Sequence, residues 1–112
     1  MAFGVAASGS TAMSTGTYVQ LNGAAFTSAN VYSLSVNTTP LVNGEALMLK
    51  VTKKVASGGS EVIVDELVIS NHAQTNVVKE TKPYDSHYSI SFYLKQVGGS
   101  NRTLEWLVTQ YN

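Results

Sequence analysis

The chain has 112 residues, no cysteine, and seven basic side chains balanced by seven acidic ones, with 12% of residues charged. A chain of this length suits one domain that buries roughly two thirds of its unfolded surface, enough for a core without disulfides. Zero net charge lacks the basic excess of a nucleic-acid binder, and no apolar run approaches the ~20 residues of a membrane-spanning helix, so neither nucleic acid nor membrane is expected as a partner.

Residues 1–16, MAFGVAASGSTAMSTG, are small, uncharged and aperiodic. They read as a flexible N-terminal arm, with Phe3, Val5 and Met13 as its sizeable apolar side chains. No positive charge precedes the short apolar run, unlike a secretory signal, so synthesis and retention in a cytoplasm are expected. Residues 17–112 form the domain. TYVQL (17–21) is a short β-type run, Asn22-Gly23 a turn and AAFTS (24–28) a weaker run. In VYSLSV (31–36), Tyr32, Leu34 and Val36 share one face and Ser33 and Ser35 the other. TTPLVNGE (38–45) is a loop.

ALMLKVTKKV (46–55) places Leu47, Leu49, Val51 and Val55 on one face, with Met48, Lys50, Thr52 and Lys54 opposite. Lys53 falls on the apolar side, where its stem could snorkel outward. ASGGS (56–60) reverses the chain as a hairpin turn. In EVIVDELVIS (61–70) the apolar parity changes, and a β-bulge near Asp65-Glu66 would restore one face. NHAQTNVVKETKPYDS (71–86) holds one short strand, TNVVKE, before a break at Lys82-Pro83. YSISFYLKQVGGSNRTLEWLVTQYN (88–112) is the strongest signal. Tyr88, Ile90, Phe92 and Leu94 form one face, the hairpin turn GGSN follows, and Leu104, Trp106 and Val108 line the next strand. Ser89, Ser91, Tyr93 and Lys95 face the other way. No 3.6-residue period persists, and about seven to eight strands at regular spacing predict an all-β, antiparallel β-sandwich.

Candidates for chemistry are sparse. His72 and His87 have no metal-ligand spacing, so no metal and no cofactor are expected. Asp85-Ser86-His87 holds the residue types of a hydrolytic triad, but neighbours in an extended chain point to opposite faces. No Gly-X-Ser-X-Gly elbow occurs and nothing selects a pair of carboxylates. The chain is therefore expected not to be an enzyme and to take no small-molecule substrate. Gly58-Gly59 and Gly98-Gly99 precede no helix, so they read as hairpin glycines rather than phosphate loops. Lys50, Lys53 and Lys54 make a small basic patch, most simply a solvated strand face. Tyr93 lies opposite the apolar face and Tyr111 near the terminus, where either could serve a contact surface.

Over residues 30–110 the chain carries Tyr32, then Leu41, Asn43, Gly44, Leu47 and Leu49, then Lys53, Ser57, Gly58 and Gly59. His72, Ala73 and Gln74 follow, and finally Leu94, Lys95, Gln96, Gly98, Arg102, Leu104 and Trp106. In these positions it resembles a group of small head decoration (cement) proteins of tailed, especially short-tailed, bacteriophages. Departures from their pattern are Glu45 for Asp, Val97-Gly98-Gly99 for Thr-X-Gly-Thr, and Leu104 for Phe. The resemblance implies a jelly-roll-like sandwich on the capsid exterior of a virion. It implies a non-catalytic stabiliser that binds the major capsid protein as a homo-oligomer, dimer or trimer. Its shared positions look like core and turns. The expected contacts are therefore Phe3, Val5 and Met13 of the arm and Tyr93 and Lys95 of the outward strand face. The alternatives are a carbohydrate-binding or host-adhesion module, and another virion part for tail or head completion.

Overall fold

Period-two alternation produces strands because it lets one face of each bury while every backbone group pairs with a neighbour. The computed structural model describes residues 3–42, 44–70 and 78–111. Its strands are β1 (Phe3–Ala12), β2 (Val19–Gln20), β3 (Asn30–Asn37), β4 (Ala46–Lys53), β5 (Val62–Ser70), β6 (Val78–Glu80), β7 (Tyr84–Ser86), β8 (Ile90–Val97) and β9 (Thr103–Tyr111). One sheet runs β1-β9-β3-β6, with β7 also on β3, and the other runs β2-β8-β4-β5. All strand pairs are antiparallel. The chain passes back and forth between the sheets, and β6 and β7 act as one interrupted edge strand. This is the order of a jelly-roll sandwich.

The core is what the alternation predicts. Leu34 and Val36 of β3 and Leu104 and Val108 of β9 meet Leu47, Leu49 and Val51 of β4 and Ile90, Phe92 and Leu94 of β8. Rings of Phe26, Tyr32, Tyr84 and Phe92 pack in tilted and edge-on contacts with centroids 5.5–6.3 Å apart. Each such side chain contributes roughly 1.5–3 kcal/mol when fully buried.

The first correction concerns the arm. Residues 3–12 are strand β1, paired along β9 from Phe3↔Tyr111 to Ala12↔Thr103. The following residues are tied down as well. Met13 N–H donates to the Arg102 carbonyl, Thr15 N–H to Asn101 Oδ1 and Gly16 N–H to the Gln96 carbonyl. Small residues hide this strand from pattern reading. Gly9 lies opposite Trp106 and packs under the indole, where a Cβ would stand in contact at 3.4 Å from the ring.

The second correction concerns the closing segment. β8 pairs with β2 and β4, whereas β9 pairs with β1 and β3, so GGSN is a corner between sheets and not a hairpin turn. Both strands still bury the expected faces, but across the sandwich from each other. Gly98 and Gly99 have φ of +83° and +72°, as expected for this reversal. Of the expected hairpins, ASGGS alone joins neighbours, β4 and β5.

Smaller differences have local causes. Tyr88 and Val55 lie beyond the strand ends and are 43% and 73% exposed, so neither joins the core. From AAFTS only Phe26 pairs, exchanging both backbone hydrogen bonds with Ile90. The register between β4 and β5 slips at Val64, one residue before the expected bulge, and again at Ile69. Of TNVVKE, Val78–Glu80 is a strand; His72-Ala73-Gln74 and residues 75–77 lie outside the described residues. The break at Lys82-Pro83 separates β6 from β7. Thr81 bridges it, accepting the buried Leu34 N–H at Oγ1 (3.0 Å) and donating its own N–H to the Leu34 carbonyl (2.9 Å).

The corner between β8 and β9 is a hydrogen-bonded lock. Buried Gln96 donates to the carbonyls of Gly98 and Ser100, and its Oε1 accepts Arg102 N–H at 2.9 Å. The Arg102 guanidinium then grips Glu45 through Nε and Nη2, the latter at 2.9 Å. Glu45, 2% exposed, also accepts the Val42 N–H. The Arg102 hydrogen bonds and then the Val42 N–H hold the Glu45 carboxyl below its usual value. Gly99 packs against this carboxylate so closely that a Cβ would overlap it. Gln96, Gly98 and Arg102 thus share one structural role.

Candidate functional site

On the four-stranded sheet the side chains opposite the core form a continuous outer face. In β4 these are Met48, Lys50 and Thr52, and in β8 Ser91, Tyr93 and Lys95. Register places Lys50 opposite both Tyr93 and Glu66, and Tyr93 opposite Gln20. One cross-strand row therefore reads Glu66, Lys50, Tyr93, Gln20 from the β5 edge to the β2 edge. Cross-strand neighbours on one face lie close enough for side-chain pairing.

Tyr18, just before β2, lies across this row. Its hydroxyl donates to Glu66 Oε2 at 2.7 Å, joining the two opposite edges of the sheet. Desolvation first, and then the hydrogen bond to Glu66, raise the Tyr18 hydroxyl pKa to about 12, so the hydroxyl remains a donor. The Lys50 ammonium stands 4.6 Å from the ring centroids of both Tyr18 and Tyr93, and Lys95 stands 4.7 Å from that of Tyr18. These are cation–π distances. Neither ammonium forms an ion pair with a carboxylate among the described residues, whereas Lys53 pairs with Asp85 and Lys82 with Asp65. At one end of the face, Glu61 accepts hydroxyls from Thr52, Ser89 and Ser91. At the other, Met48 sits between Lys95 and Val68, which is 50% exposed.

The expected contact residues do not form one surface. Tyr93 and Lys95 belong to this face. Val5, 61% exposed, is on β1 at the edge of the other sheet. Phe3 shares that strand by its backbone, and its side chain lies outside the described residues. Met13 is 1% exposed and packs in the core, which withdraws it from the contact set. Tyr18 and Glu66 were missed, because nothing in a linear pattern brings a residue before one edge strand to the middle of the opposite edge. Lys50 was visible as an outward-facing basic residue, but not as the partner of two rings.

The Asp85-Ser86-His87 side chains diverge as the strand geometry requires. Ser86 is buried, with no hydrogen-bond partner for its hydroxyl, while Asp85 and His87 are exposed, 3.9 Å apart. Lys53, expected to snorkel outward, instead reaches across to β7 of the other sheet, where its ammonium donates to the Asp85 carbonyl at 2.9 Å. No helix among the described residues is long and apolar enough to cross a membrane. Comparison with known proteins finds no matching family model, curated protein or solved structure.

Proposed function

We propose that the chain is a capsid decoration protein of a tailed bacteriophage, bound to the outside of the shell, which it stabilises without catalysis. The observation that supports this best is the jelly-roll strand order combined with the corner lock. Three of the residues that carry the resemblance to decoration proteins, Gln96, Gly98 and Arg102, hold β8 to β9 at the sheet junction. A rigid sandwich with a structured outer face suits a protein that acts by occupying a surface. Binding the assembled shell but not its dissociated subunits favours assembly by linkage, and symmetry multiplies each weak contact. The partner in this reading is the major capsid protein, with the chain present as a dimer or trimer on the lattice.

Electron microscopy of purified virions tests the assignment. Density for this chain spread over the capsid lattice is expected, and a single ring at one vertex or on the tail would instead indicate a completion or tail protein.

A carbohydrate-binding role draws on one observation, the clustering of Tyr18 and Tyr93 on one sheet face. Both rings already carry a lysine ammonium, which weighs against stacking on sugars. A glycan array with strong, tyrosine-dependent signals would reverse this preference.

A further inference from the structure

We propose that the outer face of the four-stranded sheet docks an acidic segment of the capsid protein through Lys50 and Lys95, with Tyr18 and Tyr93 holding the two ammoniums in place. The inference rests on the decoration reading above and names the chemistry of the contact. Three features of the face carry it. Two cations share one aromatic ring, with 4.6 and 4.7 Å to the Tyr18 centroid. Glu66 is the carboxylate opposite Lys50 in register, and its Oε2 accepts the Tyr18 hydroxyl, so the middle of the face carries two ammoniums to one carboxylate, while Glu61 lies at the end of the face on the hydroxyls of Thr52, Ser89 and Ser91. On the β5 edge, Val68 and Ile63 flank Glu66 and are 50% and 57% exposed. Carboxylates flanked by apolar side chains complement such a surface.

The ring contacts matter for binding as well as for stability. A free lysine loses much rotamer freedom when it pairs, whereas an ammonium already seated on a ring loses less. Tyr18 is itself restrained by its bond to Glu66, so the whole row is set before a partner arrives. Nucleic acid fits less well. The chain's single arginine is held by Glu45, the net charge is zero, and the rings that would stack on bases are already covered by lysines. Association with a second copy fits less well, since, apart from Glu66 within the face itself, the exposed acidic residues Glu80, Asp85 and Glu105 lie on three separate strands, with Asp85 paired to Lys53 and Glu105 bonded by Asn37.

The test titrates the 112-residue chain with a hexaglutamate peptide, followed by NMR chemical shifts. Perturbations centred on Tyr18, Lys50, Tyr93 and Lys95 are expected, weakening as salt is added. The double variant Lys50→Gln/Lys95→Gln should lose about tenfold or more in affinity, and Lys50→Arg/Lys95→Arg should retain it. Thermal melts should show both variants folded, with the glutamine variant melting slightly lower for loss of the ring contacts. Equal affinity in the glutamine variant, perturbations elsewhere on the molecule, tighter binding of an oligothymidylate, or self-association of the chain through this face would each overturn the proposal. Occupancy on purified phage shells separates the two readings. If the parent occupies the shell and the glutamine variant does so equally, the docking face is wrong and the decoration role survives. If the parent binds hexaglutamate at this face but not the shell, the docking chemistry survives and the decoration role is wrong.

Discussion

At the scale of single residues, two side chains decide most. Trp106 is 7% exposed, covers Gly9 and donates its indole N–H to Thr11 Oγ1 at 2.8 Å. Truncating a buried ring of this size costs about 3–5 kcal/mol, so Trp106→Ala should lower stability by that amount in chemical denaturation. Trp106→Phe keeps most of the burial and should cost less, although it forfeits the hydrogen bond. Glu45 makes a pH-dependent contribution. Its carboxyl is held below the usual value near 4.5 in the folded chain, so its stabilisation is complete above that pH and declines as pH falls through the lowered folded value. Unfolding free energies measured from pH 7 to pH 3 should therefore drop in acid. The drop should be shallower in Glu45→Gln, which loses the charge that Arg102 grips.

At the scale of elements, the interrupted edge strand and β1 are the revealing cases. Pro83 has no N–H to give a ladder, and Thr81 restores the pairing with its hydroxyl. Thr81→Val keeps the shape but leaves the buried Leu34 N–H unpaired, at a cost of about 1–3 kcal/mol in an equilibrium denaturation curve. For β1, deleting residues 2–14 would remove an edge strand and the buried Met13 together. The expected outcome is a large fall in melting temperature rather than a folded protein lacking an arm. Met13→Ala alone should cost about 2–5 kcal/mol, read from the same curve.

At the scale of the whole molecule, the jelly roll separates an inner layer of packed side chains from two outer faces. One outer face carries the Tyr18, Lys50, Tyr93 and Lys95 cluster, while Val5 lies at the edge of the other sheet. A contact through the first face would leave β1 free, so shells decorated with Val5→Ser should retain full occupancy. In the proposed decoration role, shells carrying the protein should also melt at higher temperature than bare ones, with the shift growing with the concentration of free protein, as linkage requires. Calorimetry of shells with and without added protein measures this directly.

By itself the amino-acid sequence determined the class of the fold and the buried faces of β3, β4, β8 and β9. The reason is local: a period of two assigns each residue to a face whatever the strand pairs with. The turns at Asn22-Gly23, Gly58 and Gly98-Gly99 were legible for the same kind of reason, since positive φ at these positions favours glycine or asparagine. Tertiary structure alone decided which strands are neighbours. Alternation is identical in a hairpin and in two strands facing each other across a sandwich, so GGSN could be read either way. It also decided β1, a strand of small residues that pairs along β9, and the Tyr18–Glu66 bridge, which joins residues 48 positions apart in the chain. A strand's face is a property of its own sequence, whereas its partners depend on how the whole chain is wound.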